Sequence, residues 1–193
     1  MKRFCVFCGS SLGKAPVYAE AAMALGRAMA VKKIGLVFGG GRIGLMGVIA
    51  DSVMASGGEA IGVIPKALKE RELGHAGVTE LRVVSSMHAR KAMMAELSDG
   101  FIAMPGGFGT LDELCEILTW AQLGIHEKPC GLLNVNNFFA PLLALFDHQM
   151  EEGFLAAKHR ALLRVADEPG PLIEALMEAS CPETRRPLHG TSK

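Results

Sequence analysis

Short apolar runs alternate along the chain with longer stretches in which hydrophobic positions recur every three or four residues. The short runs predict strands at Arg3–Cys8, Gly35–Phe38, Ala60–Ile64, Leu81–Val84, Gly100–Met104, Cys130–Leu133 and Leu163–Val165. The longer periods predict helices at Val17–Lys32, Ile43–Ser56, Met87–Ser98, Leu111–Gly124, Phe138–Glu152 and Pro171–Ala179. Alternating β and α units give a single doubly wound, Rossmann-like α/β domain, with a mostly parallel sheet and helices on both faces. The expected domain covers residues 1–180. After Cys181-Pro182 the chain turns polar, and residues 181–193 read as a loose tail.

In such sheets ligands bind beyond the carboxyl ends of the strands. Four segments at that edge are rich in small or polar residues: Gly9-Ser10-Ser11, Gly39-Gly40-Gly41, Ser85-Ser86-Met87-His88 and Pro105-Gly106-Gly107. Gly39-Gly40-Gly41-Arg42-Ile43-Gly44 matches G-x-G-x-x-G between a strand and a helix, where backbone N–H groups can hold a phosphate. A dinucleotide site also needs an acid at the end of the next strand. That strand ends Val63-Ile64-Pro65-Lys66, and Glu59 precedes it instead, so the NAD reading is disfavoured.

Pro105-Gly106-Gly107-Phe108-Gly109-Thr110-Leu111-Asp112-Glu113 supports two readings. In one, Thr110 and Glu113 form a capping box, with Thr110 at the N-cap and Glu113 at N3. In the other, Gly106, Gly107, Gly109 and Thr110 cradle a phosphate while Glu113 faces the neighbouring sugar. Arg90 and Lys91 place two cations in the first turn of a helix, against its dipole, which suggests either a surface pair or contact with an anionic substrate.

The composition narrows the function classes. The chain has 193 residues, 20 Lys+Arg against 20 Asp+Glu, and 50% hydrophobic residues, so no global basic field points to nucleic acid or an anionic membrane. The longest uncharged run, Pro129–Phe146, is broken by Asn134, Asn136, Asn137 and Pro141 and does not read as a membrane span. The apolar segment after Met1-Lys2-Arg3 is too short for an export signal, so a cytoplasmic location is expected. Cys5 and Cys8 form a C-x-x-C within a strand, where that spacing sends the thiols to opposite faces and favours burial over metal binding. The histidines show no metal spacing, and no metal is expected. Covalent acyl chemistry has no legible nucleophile–base pair.

Taken together, Gly39–Gly47, Met87–Lys91 and Pro105–Glu113 resemble the Lonely Guy (LOG) family of cytokinin riboside 5′-monophosphate phosphoribohydrolases, often mislabelled lysine decarboxylases. Cys5–Ser11, Gly62–Lys66, Thr119–His126 and Glu151–Phe154 extend the likeness over roughly residues 2–180. The resemblance implies hydrolysis of the N-glycosidic bond of an adenosine 5′-monophosphate, N6-modified or plain, giving free base (cytokinin or adenine) and ribose 5-phosphate. Arg90 and Glu113 would be the catalytic pair. Glu72, Lys91, Gly106, Gly107, Gly109, Thr110 and Thr119 would shape the substrate pocket, and Gly39, Gly40, Gly41 and Gly44 would form a nucleotide loop. No cofactor is implied, and a homodimer joined through Met87–Ser98 and Leu111–Gly124 is expected. Phe108 stands where the family often has Tyr, and Asp112 where it often has Glu. The alternatives are an AMP nucleosidase of nucleotide salvage and a non-catalytic nucleotide or cofactor carrier on the same fold.

Overall fold

The computed structural model describes residues 1–70 and 74–179; Glu72 and the tail at 181–193 lie outside the described residues. Strands β1 (Arg3–Phe7), β2 (Gly35–Phe38), β3 (Ala60–Pro65), β4 (Glu80–Val84), β5 (Gly100–Ala103), β6 (Cys130–Leu133) and β7 (Leu163–Ala166) all pair in parallel. The main helices between them are α1 (Val17–Val31), α2 (Gly44–Ala55), α4 (Met87–Glu96), α5 (Phe108–Gln122), α6 (Ala140–Glu151) and α8 (Pro169–Ala179). Two four-residue helices, α3 (Lys66–Lys69) and α7 (Ala157–Arg160), and a 3₁₀ turn at Val135–Asn137 complete the order.

Strands β2, β3, β5 and β6 are apolar throughout because both faces of the sheet are covered. Alternate residues of β1 show the division. Phe4 and Val6 join the core formed with α1, α2 and α8, whereas Cys5 and Phe7 join the core formed with α4, α5 and α6. The same alternation puts Cys5 and Cys8 on opposite faces, both buried, as their spacing predicts. At the edge, β4 is partly exposed and carries an Arg82–Glu80 pair at 2.9 Å, a charge that discourages further strand pairing.

The strand order is β4-β3-β2-β1-β5-β6-β7. Winding therefore reverses between β1 and β5, and the loops leaving those two strands diverge there, opening a crevice at the carboxyl edge. Among the described residues, no helix is long and apolar enough to cross a membrane.

Candidate active site

The crevice holds a cavity of about 410 Å³. Its floor comes from Val6–Ser10, its sides from Gly39, Gly41 and Ile43 on one flank and Gly107–Thr110 on the other. Arg90 of α4 and Asp112 and Glu113 of α5 also border it. The loops are pinned to one another by backbone hydrogen bonds. Gly9 N–H donates to the Pro105 carbonyl at 3.0 Å, and Leu45 N–H donates to the Gly9 carbonyl at 3.0 Å.

Arg90 lies in the first turn of α4, whose N-cap Ser86 accepts from Ala89 N–H at 3.1 Å. Only 9% of Arg90 is exposed. Its Nε donates to the Val63 carbonyl at 3.1 Å and its Nη2 to the Gly39 carbonyl at 3.1 Å, so the strand ends of β2 and β3 fix the guanidinium plane. Nη1 makes only a 3.8 Å contact with Met87 Sδ. Gly39 is required here for a local reason: a Cβ at that position would collide with Arg90 Nη2.

Glu113 is 9% exposed, and its carboxyl is pushed up to about 6, chiefly by burial. The Arg90 charge opposes that rise, so the two side chains are electrostatically coupled across the cavity.

The capping-box expectation is overturned. Helix α5 starts at Phe108, with Gly107 as its N-cap and no side-chain cap, which places Thr110 and Glu113 inside the helix. The extended backbone of Gly107 (φ −98°, ψ −155°) lets the helix begin one turn early. Thr110 instead packs against Gly106, where a Cβ would strike its Oγ1. Glu113 is thus a buried carboxyl with no capping duty. The first-turn N–H groups of Phe108, Gly109 and Thr110 have no intrahelical acceptor, and all three residues line the cavity.

The other glycine turn is largely engaged by the protein itself. Gly39 gives its carbonyl to Arg90, Gly40 gives its carbonyl to His75 N–H at 2.9 Å, and Gly41 bridges to Gly74. Gly39 and Gly41 line the cavity; Gly40, Gly44 and Gly106 do not. At the start of α2 the Leu45 N–H is given to the Gly9 carbonyl and Gly44 does not line the cavity, so the backbone donors that face it come from the start of α5.

Two further expected pocket residues stand away from the cavity. Lys91 Nζ is paired with Asp112 and Glu116, and Thr119, exposed on α5, donates its hydroxyl to the Cys115 carbonyl at 2.7 Å. His75 was not anticipated. It is buried, its Nε2 lies 3.0 Å from Asp51 Oδ1, and its Nδ1 accepts from Gly77 N–H at 3.2 Å, which places the ring proton on Nε2. It ties the segment before β4 to α2 and the glycine turn, and no local sequence signal marks it.

Comparison with known proteins follows the same outline. A family described as "Possible lysine decarboxylase" matches residues 46–176. The rice protein named "Probable cytokinin riboside 5′-monophosphate phosphoribohydrolase LOGL2" is 51% identical over 179 residues, covering 93% of this chain and 73% of its own. Cytokinin riboside 5′-monophosphate phosphoribohydrolase LOG4 of Arabidopsis thaliana is 51% identical over 178 residues, covering 92% of this chain and 83% of its own. The molybdenum cofactor binding protein of Rippkaea orientalis shares the fold, with a TM-score of 0.70 at 24% identity over 92% of this chain and 97% of that one.

Proposed function

The chain belongs to the Lonely Guy family, and from that premise we propose that it hydrolyses the N-glycosidic bond of N6-modified adenosine 5′-monophosphates, releasing a cytokinin base and ribose 5-phosphate. The observation that carries this reading is the convergence in one cavity of a buried carboxyl, a fixed guanidinium and an open helix N-terminus.

Each part has a role in the chemistry. The 5′-phosphate is held by the first-turn N–H groups of Phe108, Gly109 and Thr110, where the helix dipole favours a dianion. Heterolysis of the C1′–N bond leaves positive charge on the sugar, and the ionised Glu113 carboxylate stabilises it and orients the incoming water. Water supplies the hydroxyl to C1′, and the base leaves with a proton. Arg90, permanently charged, is a poor proton donor; it holds the substrate's negative charge and keeps Glu113 ionised near neutrality. A decarboxylase would need a lysine to carry pyridoxal phosphate as a Schiff base, and none of the described residues lining the cavity is a lysine.

The protein acts as a homodimer in this reading. Helix α6 has no buried residue, and large apolar side chains are exposed at Leu123 and Ile125 just after α5, at Leu145 on α6 and at Phe154 just after it. An isologous contact through α5 and α6 would cover them and bring Thr119 to the partner's substrate. Light scattering at micromolar concentration checks this, a monomer being the contrary result. The activity itself is tested by incubating the protein with N6-isopentenyl-AMP and with AMP and separating the products. Equimolar free base and ribose 5-phosphate support the reading. Nucleotide that binds and is recovered intact would mark a carrier.

A further inference from the structure

Helices α4 and α5 each send one reacting side chain into the cavity, and each carries beside it a charge that faces the other helix. Lys91, next to Arg90, has its Nζ 3.2 Å from Asp112 Oδ2 and 3.1 Å from Glu116 Oε1. The two acids are four residues apart on α5 and share a face flanking Glu113. The Lys91 side chain is 15% exposed, less than either partner. Burial alone would weaken its hold on the proton, but hydrogen bonds to Glu116 and Asp112 outweigh that and keep the ammonium charged. An ammonium between two carboxylates has no net positive charge to offer a phosphate. That sits poorly with the substrate contact the family resemblance implies.

We propose that Lys91 is a positioning residue: with Asp112 and Glu116 it forms a clamp between α4 and α5 that sets Arg90 against Glu113 and balances the negative charge beside the Glu113 carboxyl. This rests on the phosphoribohydrolase reading of the same cavity. Among the described residues, the charges acting on Glu113 are Arg90 and Lys91 from α4 and Asp112 and Glu116 on its own helix. The Cys5 thiol of β1 and the Cys8 thiol just after it also feel Glu113, but burial keeps both neutral. Arg90 and Lys91 favour the carboxylate; Asp112 and Glu116 favour the acid. Loss of Lys91 therefore leaves the two acids opposed by Arg90 alone, whereas loss of both acids leaves Arg90 and Lys91 unopposed beside Glu113.

The test is the pH profile of kcat/KM for base release from N6-isopentenyl-AMP, in the parent, Lys91→Met, Asp112→Asn/Glu116→Gln and the triple variant. In Lys91→Met the acid limb moves up, so that activity at pH 6 relative to pH 8 falls at least about threefold below the parent ratio. In the double variant the limb moves down, and in the triple variant it lies between the double variant and the parent although Lys91 is absent. A Lys91→Met variant that raises KM with an unmoved limb would overturn the clamp in favour of substrate contact. Should Lys91→Met fail to fold, the double variant decides alone: a downward limb supports the clamp and an unmoved one refutes it. A parent that releases no base defeats the functional reading. An active parent with unmoved limbs defeats only the clamp.

Discussion

Replacing Glu113 with Gln separates chemistry from packing, because the two have opposite signs at this position. The residue is 9% exposed, Gln is close to it in size, it caps no helix end, and its carboxyl is raised from an ordinary 4.5 to about 6. The raised value means that the folded protein binds this proton more tightly than the unfolded chain. The group therefore favours folding below pH 4.5, and that contribution is lost as pH rises to 6. The displacement from 4.5 to about 6 corresponds to about 2 kcal/mol, present as a penalty at all higher pH. Gln carries no such penalty. Glu113→Gln is thus expected to match or exceed the parent in stability above pH 6, with Tm higher by up to a few degrees. Its turnover should fall by about 10²–10³, the usual effect of removing one electrostatic contact to the transition state. Product release and thermal midpoint are measured on the same preparation at pH 7.5. A folded variant with turnover within a few-fold of the parent would refute the catalytic role. A variant that loses activity and stability together would show that Glu113 acts through packing.

Other expectations follow from the same geometry. The kcat/KM of the parent should be level between pH 7 and 8 and fall about tenfold per pH unit well below 6, as Glu113 takes up its proton; an acid limb near 4 would contradict the burial argument. Arg90→Lys cannot reproduce the double hold on the Val63 and Gly39 carbonyls, and should lose about 1–3 kcal/mol of stability along with most activity, read by urea titration and by base release. Gly106→Ala drives a methyl into Thr110 Oγ1 and should raise KM for the monophosphate, whereas a Cβ at Gly107 meets nothing within 4 Å, so Gly107→Ala should keep the parent's thermal midpoint.

The strand positions were legible within about a residue because buried parallel strands are continuous apolar runs, as at Gly35–Phe38 and Cys130–Leu133. Arg90 and Glu113 were legible as site residues because their motifs sit at strand ends that the topology brings to one edge. The start of α5 was not. The Thr110–Glu113 spacing imitates a capping box, and only the extended Gly107 backbone shows that the helix begins earlier. The four-residue helices α3 and α7 are too short to display a period. The partners of Lys91 and His75 come from α5 and α2, contacts distant in sequence that no local pattern encodes.

In the proposed mechanism a phosphate anchored on α5 contributes to breaking a bond at C1′. It is tested most directly by comparing kcat/KM for base release from N6-isopentenyladenosine 5′-monophosphate and from the same nucleoside without its phosphate. Efficient release is expected from the monophosphate and a loss of at least about a hundredfold for the nucleoside, since the donors of Phe108, Gly109 and Thr110 then have no dianion to hold. Comparable kcat/KM for the two substrates would contradict it.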